Sequence, residues 1–363
     1  MGVRCVRWVS AMPAVLIRWL KRLLLRGWML IGPWLLALAQ RTGALLNRLP
    51  GGGRAWVSLI SLGFVLAALR AQATQVWQLR PDPQGWLWLL LGVGVSLLSL
   101  LVAGLAWGAG LCWLGLRPRW EVLLGLYLRS NLAKYLPGGV WHLVQRLEAL
   151  RGQSVPDAPL QGPPLGAGSA LLATLLEPLL AAVAALALVS LGGWQGGLGL
   201  LTLLPLLVLW PRVLRPVLRR LEGQRARQLG LDPEAEELLA PVELPMGRSP
   251  WGPLLLQVLF VALRFAGFAC CAAALDVQAT ADWTILLAGF ALAWTAGLVV
   301  PGAPAGLGVF EAVLLLRLGG VLPEPVLLAL VMSYRLQATV ADGLAAALAR
   351  LDHQFSTAPS LEK

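Results

Sequence analysis

At 363 residues the chain is 58% hydrophobic and 13% charged, about half the ~25% charge usual in soluble domains, with a formal net charge of +11. Mean hydropathy is +0.73, and a water-soluble fold of this length has no interior large enough to hide so much apolar surface. The sequence lacks HExxH, P-loop, GxSxG and GxGxxG patterns, and with only His142 and His353 it cannot build a histidine-based zinc site.

Stretch 1–55 carries nine Lys and Arg residues and no acid. Arg18, Lys21, Arg22 and Arg26 recur at helical spacing, with Ile17, Leu20, Leu23 and Leu24 opposite, which predicts an interfacial amphipathic helix. The alternative is a signal peptide with an apolar stretch over 28–36 and Ala37-Leu38-Ala39 as its cleavage site. Cleavage there would leave Arg41, Arg48 and Arg54 to be translocated, against the charge rule. Pro50-Gly51-Gly52-Gly53 forms a joint before the first span.

A helix needs about 20 mostly apolar residues to cross the hydrocarbon with its backbone satisfied internally. Eight stretches approach this: 56–76, 86–114, 165–191, 196–210, 251–275, 283–300, 305–322 and 326–349, the fourth and seventh short. The expected fold is an all-α polytopic membrane bundle of about eight transmembrane helices plus re-entrant or interfacial segments. Its divisions are the basic extension 1–55, a transmembrane domain 56–350 and a tail 351–363.

Basic residues resist translocation, and 24 of the 29 fall in 1–55, 115–151, 211–250 and the tail. An even span count with both termini cytoplasmic puts all four on one side. The net charge then reads as attraction to an anionic leaflet, with no need for nucleic acid.

Charge inside the apolar stretches carries the chemistry, because each ionised group at mid-depth costs at least ~2.5–3.5 kcal/mol and faces a partner or a wet cavity. Glu177, Arg264, Glu311 and Arg335 are such groups, and Arg335, Thr339 and Asp342 share one helical stripe. Glu177 precedes Pro178, which has no N–H for the Thr174 carbonyl, so a kink with an acid beside it is expected. These charges either line a polar pocket for an anionic or zwitterionic head group or pair to fix helix packing.

Two Pro-Gly breaks punctuate the chain, Lys134 through His142 and Pro301 through Glu311. Irregular backbone at membrane depth requires cover by protein or water, so 120–136 reads as re-entrant or interfacial. Breaks at matching places in two halves are a feature of transporter repeats, but no further similarity between the halves is visible. Cys5, Cys112, Cys270 and Cys271 have no metal-ligand spacing and read as small hydrophobes. Gly104 and Gly108 make one GxxxG, a pattern too common in Gly-rich spans to imply a dimer.

The motif Lys134-Tyr135-Leu136-Pro137-Gly138-Gly139-Val140-Trp141 with Arg146 downstream, Glu177 in the next span, the Pro304 to Glu311 motif and Tyr334-Arg335 together resemble the transmembrane region of lysylphosphatidylglycerol synthases. The resemblance covers about 56–350. Ala305 departs from it, standing where relatives commonly have glycine. It implies a multi-pass protein of the bacterial plasma membrane, a flippase for aminoacylated phospholipid in the best-known relatives and a companion of lipid-linked glycosyl transfer elsewhere. No synthase is expected, because the chain ends soon after its last span.

The leading expectation is a protein that binds or translocates an anionic or zwitterionic lipid or a lipid-linked sugar, with membrane lipids as partners and no catalytic residue, cofactor or metal. The binding set is Glu177, Arg264, Glu311, Arg335, Tyr334, Lys134 and Arg146, framed by motif backbone at Pro137, Gly138, Gly139, Pro304, Gly306 and Gly308. Arg264 and Arg335 are expected to hold a phosphate, with Glu177 and Glu311 holding an amine or tuning the arginines. Alternatives are a scaffold that seats a glycosyltransferase on the bilayer through the basic N-terminal face, and an intramembrane transferase or hydrolase using Glu311 or His142 as base.

Overall fold

A computed structural model describes residues 70, 82–136, 139–152, 158–192, 199–209, 249–277, 282–300 and 304–357. The chain divides into two compact units, 1–60 and 61–363, and every described residue belongs to the second. The expected amphipathic helix, the first span 56–76 apart from Arg70, and most of the basic segment 211–250 lie outside the described residues.

The protein is all-helical, and the described residues hold no strand beyond one isolated bridge between Pro118 and Leu160. In chain order the α-helices are α1 Pro83–Trp113, α2 Trp120–Asn131, α3 Trp141–Leu150, α4 Ala167–Val189, α5 Trp251–Ala274, α6 Trp283–Val299, α7 Val309–Leu318 and α8 Glu324–Thr357. Short 3₁₀ turns follow α2 at Leu132–Tyr135, follow α4 at Ser190–Gly192 and precede α7 at Pro304–Gly306.

Three helical stretches are long and apolar enough to cross a membrane: α1, Ala167–Gly192 and α5, with mean hydropathies of 2.4, 2.2 and 2.1. α6 is apolar but has 17 residues. α8 has 34 residues, and Arg335, Gln337, Thr339 and Asp342 interrupt its apolar character midway.

One expected span is corrected. The stretch 305–322 contains only the ten-residue α7, about 15 Å long and half the ~30 Å hydrocarbon core, because Gly308 starts it and Gly319 ends it. Of the stretch 196–210 the described part is an 11-residue 3₁₀ run, Gly199–Leu209, with Pro205 inside it, about 22 Å long, and the residues on either side lie outside the described ones. Segment 120–136 is the 12-residue α2 followed by a 3₁₀ turn, about 18 Å of α-helix and again too short to span.

Side-chain placement follows from lipid-like surroundings outside and a packed interior. Leu87, Leu90, Leu255, Leu316 and Leu348 point outward, each at least 60% exposed, while Trp107, Leu123, Leu176, Leu180 and Val261 fill one core. A second core is aromatic: Phe268, Phe290, Phe310 and Tyr334 meet with ring centroids 5.2–5.7 Å apart.

Small residues let the helices approach. A Cβ at Gly92 of α1 would run into the Gln337 amide, and one at Gly267 of α5 would sit 2.7 Å from Gln337 Nε2 and 2.8 Å from Ser96 Oγ. Gln337 occupies that seam, donating to Ser96 Oγ at 3.0 Å and accepting from the Cys271 thiol at 3.0 Å. Gly104 and Gly108 face α2, against Leu124 and Trp120, so their spacing serves a contact within the bundle.

Candidate functional site

α2, its 3₁₀ extension, α3, α4, α5, α6, the 304–306 turn and α8 together enclose a cavity of about 350 Å³. That volume is at the lower end of small-molecule sites. Lys134, Arg146, Glu177, Arg264, Tyr334 and Arg335 all line it, as do Gly139 and Gly306. Glu311 contributes through Arg335, and Gly308 is the exposed residue that starts α7. Pro304 opens the 3₁₀ turn, while Pro137 and Gly138 lie outside the described residues.

Asp342 sits at the centre of the polar network and is 1% exposed. It accepts from Asn131 Nδ2 at 2.8 Å and Tyr135 OH at 2.7 Å, and pairs with Lys134 Nζ at 2.7 Å and Arg264 Nη2 at 3.5 Å. Four donors match the lone-pair sites of an ionised carboxylate. Its place on the α8 stripe is legible in the sequence, but the convergence of four donors is not: they come from α2, its 3₁₀ turn and α5.

Arg146 is the second centre, reaching from α3 to Ser130 Oγ at 3.1 Å and Glu177 Oε2 at 3.4 Å. Its guanidinium lies 3.9 Å from the Tyr127 ring centroid, and Tyr127 OH donates to Glu177 Oε1 at 3.2 Å. α4 runs through Pro178, which lines the cavity and has no N–H for the Thr174 carbonyl. The neighbouring Ala173 carbonyl accepts from the Trp107 indole at 3.2 Å.

Arg335 is a clasp. Its Nε donates to Glu311 Oε1 at 2.8 Å, Nη1 to the Ala305 carbonyl at 2.7 Å, and Nη2 to the Gly306 carbonyl at 2.9 Å and Glu311 Oε2 at 3.3 Å. A planar five-donor guanidinium fits this fork, which an ammonium does not. The arginine thus ties α8 to the segment leading into α7, where Ala305 takes φ 50 and Gly306 φ 70. Gly306 packs against Gly297 of α6 so closely that an added Cβ would lie 2.9 Å from the Gly297 Cα.

Arg264 is the least satisfied cation of the cluster. It is 5% exposed, its Nε is buried without a hydrogen-bond partner, and its ion-pair contact is the 3.5 Å approach to Asp342. The expected pairing therefore changes. Arg335 spends its donors on Glu311 and two carbonyls, whereas Arg264 and Lys134, whose side chain is 21% exposed, keep donors for the cavity.

The balance of charge follows. Lys134, Arg146, Arg264 and Arg335 face Glu177, Glu311 and Asp342, which leaves one positive charge in excess. The expected binding set omitted Tyr127, Asn131 and Tyr135, although Tyr135 stands in the motif that carries the resemblance and Ser130-Asn131 is a polar run inside an otherwise apolar stretch. Among the described residues no group of three or more His, Cys, Asp or Glu could hold a metal ion. Neither a scan of protein-family models nor a search of curated proteins returns a match for this chain.

Proposed function

We propose that this is a multi-pass membrane protein that binds, and moves between leaflets, a lipid or lipid-linked sugar through its polar head group. The observation that carries the reading is a cavity of about 350 Å³ in a bundle with three membrane-length apolar helices, walled by Lys134 and the under-satisfied Arg264. Burying an ionised side chain in such a bundle is costly, and a ligand phosphate would complete its hydrogen bonds while the acyl tails stay in lipid.

The resemblance to the transmembrane region of lysylphosphatidylglycerol synthases belongs with this proposal. In its support, Lys134, Glu177, Arg335 and Gly306, drawn from separate motifs, stand around one cavity. The proposed setting is a bacterial plasma membrane with the basic segments 115–151 and 211–250 on the cytoplasmic side. As the proposed mechanism, Arg264 and Lys134 receive the phosphate, Asp342 holds both in place while Glu177 holds Arg146, and Arg335 keeps the α7 entry segment against the cavity.

The test is reconstitution in liposomes with a fluorescent phospholipid and a membrane-impermeant quencher. Protein-containing vesicles are expected to expose inner-leaflet head groups faster than empty ones, with Arg264→Gln lowering the rate at least about tenfold, the worth of one charge-assisted hydrogen bond. Equal rates with and without protein remove translocation.

A further inference from the structure

The charge arrangement says more than that a head group is bound, and the following rests on the proposed function. We infer that the cavity selects a head group with a net negative charge at its phosphate and turns away zwitterionic and cationic ones.

Each carboxylate already faces a cation: Glu311 is held by Arg335, Glu177 by Arg146, and Asp342 by Lys134 and Arg264. An incoming ammonium would have to displace one of them. Four of the aromatic rings lining the cavity, which could otherwise receive a quaternary ammonium, already have a cation beside them. Arg146 covers Tyr127 at 3.9 Å, Arg335 covers Phe310 at 4.8 Å, Lys134 lies 5.3 Å from Tyr135, and Arg264 lies 5.6 Å from Phe260. The protein's own cations thus occupy all three carboxylates and four of the aromatic rings, leaving an ammonium little but the rings of Trp294 and Tyr334.

What the cavity retains is donors. Arg264 Nε is buried without a partner, and Lys134 has three N–H groups with one carboxylate contact. With one positive charge in excess, a singly charged phosphodiester neutralises the site, whereas the added cation of a zwitterionic or aminoacylated lipid enters beside Lys134 and Arg264.

The experiment is equilibrium binding to the full chain in non-ionic detergent, read by tryptophan emission, since Trp294 lines the cavity. The probes are short-chain phosphatidylglycerol, phosphatidylcholine, an aminoacylated cationic phosphatidylglycerol and inorganic phosphate. Salt at about 0.5 M suppresses attraction to the basic exterior, because the screening length falls to a few ångströms while a buried site is screened far less. Phosphatidylglycerol is expected to bind at least about tenfold more tightly than the other two lipids, with Arg264→Gln erasing the preference and Arg264→Lys keeping most of it. Lys134→Gln, at the partly exposed wall, reads the same loss should Arg264→Gln fail to fold.

Equal affinity for the three lipids, or a preference that survives both Arg264→Gln and Lys134→Gln, overturns the selectivity and leaves lipid binding standing. Inorganic phosphate binding as tightly as phosphatidylglycerol supports the anion site but overturns the lipid reading. If no probe binds, both are overturned.

Discussion

Asp342 illustrates how a single carboxylate can hold a polar cluster in an apolar bundle. Replacing it with Asn leaves Lys134 and Arg264 near one another without a counter-charge, and breaking a buried pair in this way costs about 3–5 kcal/mol. Asp342→Asn is therefore expected to lower the thermal midpoint of the detergent-solubilised protein sharply. Adding Lys134→Met should recover part of the loss, and a double-mutant cycle showing no coupling would remove Asp342 from its central place. A second residue-scale prediction concerns Ala305. At φ 50 its Cβ crowds the backbone, a cost of about 1–2 kcal/mol that glycine lacks, so Ala305→Gly is expected to stabilise by up to about 1 kcal/mol after its own entropy cost. A lowered midpoint would mean that the Ala305 methyl makes contacts worth more than the strain. The ionised residues inside apolar stretches were legible in the sequence because their burial is so unfavourable without partners. Partner identity was not, and Lys134 and Arg146 entered the expected binding set through the resemblance alone, since a positive-inside tally, which counts them with 115–151, cannot tell a loop cation from one folded back against a cavity.

Helix seams and helix ends set the element scale. Gly92 and Gly94 lie two positions apart on α1, yet a Cβ at the first meets the Gln337 amide and at the second meets nothing within 4 Å. Gly92→Ala is expected to cost about 1–3 kcal/mol through overpacking, and Gly94→Ala to gain up to about 1 kcal/mol of helix propensity. Melting of the two variants side by side checks this, and equal shifts would deny the α1–α8 seam its tight packing. At the start of α6, the Asp282 carboxylate accepts from the backbone N–H and the hydroxyl of Thr284, both at 2.8 Å, and these hydrogen bonds hold it below the usual carboxylate range. A depressed folded value means that the cap's contribution is present above the unfolded value near 4 and is lost as the pH falls through the folded one. Hydrogen exchange in the first turn of α6 should therefore quicken on acidification, and Asp282→Asn should flatten that dependence. The long apolar helices α1, α4 and α5 could be read directly, since some 20 apolar residues have few other fates. α7 misled because hydropathy ignores where a helix starts and stops, and Gly308 and Gly319 leave it ten residues.

At the scale of the whole molecule the proposed orientation rests on charge, and the short helices α2 and α3 constrain it. Neither is long enough to cross, so the chain leaving α1 must begin α4 on the side where α1 ended. Arg117, Arg119 and Arg151 lie between α1 and α4, and the proposed orientation puts that side in the cytoplasm by the positive-inside rule. From there α4 crosses outward. The proposed orientation puts the basic segment 211–250 in the cytoplasm by the same rule, which requires the chain between α4 and α5 to cross back, α5 to cross outward and the start of α6 to face the exterior. In a background with the four cysteines replaced, Gln161→Cys ahead of α4 and Thr284→Cys at the start of α6 should label from opposite faces of intact cells. Impermeant reagent should reach the second and miss the first until the membrane is opened. Both sites labelling from outside would mean that the basic segments do not govern orientation; both from inside, that either α5 fails to cross or the chain between α4 and α5 does.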